Sequence, residues 1–430
     1  MSFKLTDKER FLINFEGQDF SKEGKNFIKV RELALEFLKE SEFPTTKDEL
    51  WKYTSVNAIL KDEFKPLSSI NNPNIDAHKI PGLDAYQMVF INGFFAPHFS
   101  TIFEDEKGEF ILMNINAAKG KFGQFMENYF GTLAKSKGSA FNALNAAYSQ
   151  DGVYLHVTAG VKLDKPVHVL FLNEGAKVSS QPRNLIVVGK NAKAEVIVSY
   201  DSIETENALT NSISEMVVLD GGKLTVNKLQ YENENTYHVS TDAVYQQKNS
   251  QFHINTFPLS GKLIRNNLNI QIDGAGADAK LYALNYLTGK EHVDNQTYVE
   301  HLKPNCTSTE LYKSVVNDES TSVFNGKIKV YKDAQKTQAF QSNANIINDD
   351  NARAYAKPEL EIYADDVKCS HGSTTGQFDN EALFYLRARG IKESSAKKLL
   401  LHAFASEVLD AVENGVVREF IEKKIEKKIK

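Results

Sequence analysis

Cys369 and His371 are the residues of this 430-residue chain whose types and spacing best suit a metal. They stand two positions apart in Lys368-Cys369-Ser370-His371-Gly372. Thiolate and neutral imidazole both ligate iron, and imidazole changes charge near neutral pH. On extended backbone, alternate residues share a face, so the pair can address one centre. The chain has one further cysteine, Cys306. An all-thiolate metal cluster usually takes four, so a metal centre held here would be a half-site completed by a partner. Taken alone, a histidine is more often structural than a ligand, and a free cysteine is commonly buried and inert. Cys306, in Lys303-Pro304-Asn305-Cys306-Thr307, reads as packing, and its spacing from His301 matches no known ligand signature. Asp365 and Asp366 are adjacent, so on a strand they point to opposite faces. A turn explains them better than an acid–base pair.

The elements that must position Cys369 and His371 are legible on either side. Leu360 and Ile362 alternate with Glu359, Glu361 and Tyr363, a strand pattern. Asp379 is placed to cap a helix carrying Leu383, Phe384 and Leu386, with Gly390 just past its end. Between them, the composition predicts a flexible Gly/Ser/Thr loop that presents the pair.

Upstream, six strand-like segments begin at Ala194, Leu224, Phe252, Ala279, Thr309 and Thr337, a repeat of roughly 28 residues. A second set interleaves with them at Met216, Leu268, Tyr298 and Ile328. Asn267, Asn295 and Asn325 stand nearly in register before three of these. Two strands per repeat, with no helix between them, predict a solenoid in which stacked rungs bury one continuous core. Interior asparagine ladders would satisfy one another between rungs. A β-sandwich is the rival reading. Residues 1–140 read as a helical and mixed region. Phe27, Val30, Leu33, Ala34, Phe37 and Leu38 recur at helical spacing, Trp51 serves as an anchor, Asn92-Gly93 marks a hairpin, and residues 122–133 look helical. Residues 141–377 form the β core, and 378–430 are helical. There Ser394 or Ser395 is placed as a cap, and Ala396, Leu399, Leu400, Ala403, Phe404, Val408 and Ala411 line one face. Gly415 breaks the pattern, and the lysine-rich end Ile421–Lys430 reads as a solvated helix terminus or a docking surface for an acidic partner.

Asp365-Asp366-Val367-Lys368-Cys369-Ser370-His371-Gly372, Leu383-Phe384-Tyr385-Leu386 and Arg389-Gly390-Ile391 together resemble the signature core of the SufB/SufD family of iron–sulfur cluster assembly scaffolds. The Lys-Cys-Ser-His-Gly form is similar to the SufD branch, and Ser373 departs from the alanine of that pattern. The resemblance runs from about Phe141 to Val408 and returns more weakly in Phe43–Thr54. It implies a mainly β fold, a right-handed parallel β-helix with helical ends. It implies a non-catalytic scaffold that pairs with a SufB-like subunit and binds a SufC-like ABC ATPase through its C-terminal helices, around Phe384, Arg389, Leu399, Leu400 and Phe404. A transient cluster would form at the partner interface beside His371 and Cys369, with no cofactor bound stably by this chain alone; whether the chain pairs with itself as a homodimer when the partner is absent stays open. A SufB-like primary scaffold and a β-helix carbohydrate-active enzyme are the alternatives.

There is no G-x-x-x-x-G-K-[ST], H-E-x-x-H, C-x-x-C or G-x-S-x-G, which argues against a self-contained NTPase, zinc hydrolase or α/β-hydrolase. A net charge of −5 gives no electrostatic case for nucleic acid. No apolar run is long enough for a membrane span, and the charged start has no secretory h-region, so the expectation is a cytoplasmic protein.

Overall fold

A computed structural model describes residues 5–21, 23–67, 73–104 and 108–429. Its body is a two-sided parallel β-solenoid. All six segments starting at Ala194 through Thr337 lie in one ten-stranded sheet. The interleaved set lies in the facing eleven-stranded sheet. Each chain segment crosses from one sheet to the other, so sequence neighbours face each other and the ladder partner is one rung away. Asn191, Asn249, Asn305 and Asp318, near the strand ends, take positive φ of 54–60°. Asn and Asp tolerate that region best after glycine.

Inward positions carry a continuous apolar core that includes Val196, Val226, Ile254, Leu281, Val299 and Ile328. Cys306 is part of it. Its Sγ lies 3.2 Å from the Gly274 carbonyl, and the packing expectation holds. The asparagines need a correction. Asn267 and Asn325 flank Gln296 in one column, and Asn295 stands one position off. Because strand faces alternate, that offset sends Asn295 inside, where Asn266 Nδ2 donates to it at 3.0 Å.

Both outer faces are covered over most of their length. The helix Lys25–Glu40 and its neighbours pack on the eleven-stranded sheet through Phe27, Met126 and Phe130. Trp51 does anchor its segment: its ring stacks on Phe141, and the Arg265 guanidinium lies 3.9 Å from its centroid. The hairpin turns at Asn92-Gly93, both at positive φ, and its first strand, Tyr86–Ile91, joins the ten-stranded sheet. The helix expected over 122–133 runs Ile115–Met126, with a kink at Phe122.

Helices Glu393–Leu409 and Gly415–Lys428 cover the ten-stranded sheet through Leu401, Ala405, Val408, Val417, Ile421 and Ile425. Three readings change here. Lys392, not Ser394 or Ser395, is the N-cap, and no side chain caps that end. The buried stripe contains Leu401 and Ala405, while Leu399 is 54% exposed, because the sheet sets which helical face is covered. The terminal lysines are partly committed to the chain itself. Lys428 Nζ bonds the Leu259 carbonyl and Glu291, and Lys424 lies 4.1 Å from the Tyr231 ring centroid.

Candidate functional site

Cys369 and His371 lie on a strand, not on a loop. Lys368–Gly376 is the last strand of the ten-stranded sheet and runs parallel to Gln338–Ile347. Its sequence is poor in β-formers. The neighbouring ladder supplies the conformation by pairing the backbone groups that a loop would have left to water. Arg353–Ile362 is the corresponding last strand of the eleven-stranded sheet. The solenoid therefore ends in two strands whose outer edges pair with nothing among the described residues.

Register decides which way the side chains point. Cys369, His371, Ser373 and Thr375 sit opposite Ala339, Gln341, Asn343 and Asn345, all buried. The pair thus shares the inward face, as the two-residue spacing predicts. Inward here means toward a space that no further rung covers. Cys369 packs half-buried against the end of the apolar core. His371 is exposed. Ser373 Oγ is 3.3 Å from Asn343 Oδ1, so its hydroxyl ties the last rung to the one beneath.

His371 Nδ1 lies 3.1 Å from the carbonyl oxygen of Pro358, on the facing terminal strand. A carbonyl only accepts, so Nδ1 carries the proton, and in the neutral ring Nε2 then keeps its lone pair. That tautomer can take a metal through Nε2 without releasing a proton. Cys369 differs, because burial pushes its thiol up and ligation there must displace a proton. Among the described residues, no group of three or more His, Cys, Asp and Glu side chains is assembled to hold a metal. The pair by itself is a partial ligand set.

Asp365 and Asp366 form an exposed turn before this strand, with Asp366 N bonded to Gln335 Oε1. After the strand comes helix Asn380–Ala388. Asp379 caps it by accepting from the Glu381 and Ala382 amides, as expected. This helix buries no residue, and Phe384 is 73% exposed. Arg389 lies over the Tyr385 ring at 4.4 Å. Leu399 shares this exposed character. Leu400 and Phe404 are half-buried, and Phe404 is packed against the cluster under the helices, with Lys313 bonded to its carbonyl. Of the five residues expected to face a partner, Phe384, Arg389 and Leu399 are on the surface. Two features escaped the sequence reading. Pro358 was not recognisable as the partner of His371, because the contact crosses between sheets. Glu310 and Gln341, stacked beneath His371, were readable only through exact register.

No helix among the described residues is long and apolar enough to cross a membrane. A cavity of about 1220 Å³ lies away from Cys369 and His371, between the Glu42–Trp51 segment and the outer face of the eleven-stranded sheet.

Residues 171–404 match the model of the SUF-system SufBD core domain, and residues 17–169 match that of the SufBD N-terminal region. An iron–sulfur cluster assembly SufBD family protein of Synechocystis is 30% identical over 94% of this chain and 92% of its own length. The iron–sulfur cluster assembly protein SufD of Escherichia coli is 28% identical over 93% of this chain and 92% of its own length. SufD of Bacillus subtilis is 24% identical over 96% and 97%. With a core match across the solenoid, its open end and the first C-terminal helices, the chain belongs to the SufBD family of SUF-system iron–sulfur cluster assembly proteins, on its SufD side.

Proposed function

We propose that this chain is a scaffold subunit that pairs with a SufB-like subunit through the open end of its solenoid, so that His371 and Cys369 face a nascent cluster completed by the partner. The supporting observation is that the terminal strand with unpaired edge groups is the same strand that carries an exposed, Nε2-free histidine. An uncovered edge offers a row of backbone donors and acceptors to another chain. The cluster is the cargo, with His371 as the ready ligand and Cys369 as the one that must first lose its proton. The exposed surface of Phe384, Arg389 and Leu399 is the seat for a SufC-like ATPase. In the absence of a partner, the same edges suit a second copy of this chain. The protein works in the cytoplasm as an assembly component and not as an enzyme.

The test is co-expression with SufB-like and SufC-like partners, then iron and sulfide analysis of the purified complex. His371→Ala should leave the complex intact and remove most of its iron and sulfide. Cys369→Ala should cause a smaller loss. A His371→Ala complex carrying wild-type iron and sulfide overturns the assignment.

A further inference from the structure

Beneath His371, the same inward column holds Gln341 and then Glu310. Deeper positions in that column are all apolar: Leu281, Ile254, Val226 and Val196. A carboxyl, a carboxamide and an imidazole thus follow one another only over the last three rungs, ending at the open edge. Adjacent strands lie about 4.8 Å apart, so Gln341 is the next inward residue below His371.

The hydrogen bonding of the lower two members is half complete. Glu310 Oε2 accepts from Thr297 Oγ1 at 2.7 Å and from Gln341 Nε2 at 3.2 Å. The remaining oxygens, Glu310 Oε1 and Gln341 Oε1, are buried without partners. Both are acceptors if Glu310 is ionised, and each orphan is costly. One proton on Glu310 Oε1 removes both orphans at once. Its O–H donates to Gln341 Oε1 while Gln341 Nε2 donates back, closing a two-bond ring. Burial favours that protonated form and pushes the carboxyl up to about 7. Thr297 and Gln341 are its bonded neighbours. Tyr312, next on its inward face, has its phenol raised by burial and by Glu310 and Asp242.

The facing sheet is shaped around this arrangement. A Cβ at Gly326 would come 2.2 Å from Gln341 Nε2, so only glycine leaves room for the amide. Gly326 pairs in the ladder with Pro358, whose carbonyl holds the His371 ring. One rung makes space for the amide, and the next binds the imidazole.

We propose that Glu310 and Gln341 form a carboxylic acid–carboxamide pair that positions His371, keeping its Nδ1 on Pro358 and its Nε2 toward the open end. This rests on the reading of His371 as the cluster-facing group. Glu310 and Gln341 are positioning residues, since neither reaches the open end itself.

Nitrogen NMR of the histidine-labelled full chain, without partners or iron, tests the proposal. The spectrum reports which ring nitrogen carries the proton, and His371→Gln assigns the signal. Wild type should show the Nδ1–H form and lose part of that preference as pH rises past about 7. Glu310→Gln keeps a two-bond ring with no proton to lose, so it should hold the form across that range. Gln341→Leu and Gly326→Ala should both lose the preference. A folded Gln341→Leu or Gly326→Ala protein with the wild-type ratio of tautomers reduces the pair to packing and overturns the proposal. If neither variant folds, a Glu310→Gln protein that follows the wild-type pH response overturns it alone. Because the readout uses the chain without iron, it fails or succeeds independently of the iron content of the His371→Ala complex.

Discussion

The strands Asp278–Leu287 and Lys368–Gly376 belong to one sheet and stand in register three rungs apart, yet they differ in what surrounds them. In the first, Ala279, Leu281 and Ala283 are sealed between rungs. In the second, the equivalent Cys369, His371 and Ser373 have a rung on one side only. The inward residues change accordingly, from aliphatic to small, polar or titratable. The same backbone geometry thus stabilises the middle through burial and leaves side chains uncovered at its end. Apolar groups left exposed near that end, Ile362, Tyr363 and Phe384, have the character of a surface that another chain covers.

Leu281→Ala should produce the largest effect, a loss of about 2–5 kcal/mol in denaturant unfolding, because the cavity is closed in by rungs on both sides. Cys369→Ala should cost clearly less, since its site is open and only half-buried. Equal losses from the two would erase the distinction between sealed and open rungs.

Glu310 marks the boundary between those regimes and gives the next largest effect. Burial pushes its carboxyl up to about 7 in the folded chain, from 4.5 for the ordinary group. A raised acid favours the folded state fully below the unfolded value, and that contribution is lost as pH rises from about 4.5 through about 7. The loss amounts to about 3 kcal/mol at completion. Glu310→Gln should not show it. Asp151, raised to about 6 by burial, titrates in the same window, so the difference between wild type and variant is the quantity to measure. A constant difference from pH 4.5 to 8 would mean that Glu310 is ionised throughout.

Legibility in the sequence follows the same division. The repeat of inward apolar residues placed both strand sets, because sealed rungs demand that pattern. The helix after Asp379 and the Asn92-Gly93 hairpin were legible because capping and positive φ are local requirements. The strand carrying Cys369 and His371 was not. Apart from Thr374 and Thr375 its residues have little strand preference, and its conformation comes from Gln338–Ile347, some thirty residues earlier. The stripe of Leu401 and Ala405 was misjudged for a related reason, since the covered sheet chooses the helix face. Asn295 and Asn267 differ by a single register step, which period counting does not resolve but strand pairing does.

The smallest effect belongs to His371 itself. Its ring is exposed, it bonds one carbonyl at 3.1 Å, and no rung packs over it. Surface replacements of this kind usually stay within about 0.5 kcal/mol. His371→Ala should therefore unfold in denaturant with nearly the wild-type midpoint and an unchanged slope. The contrast with Leu281→Ala is the informative point. An unchanged midpoint at His371, on a strand continuous with the sealed rungs, would support the reading that His371 acts on what it meets outside the chain. A His371→Ala midpoint shifted as far as that of Leu281→Ala would instead make the imidazole part of the fold, and the end of the solenoid would lose its claim to be the functional surface.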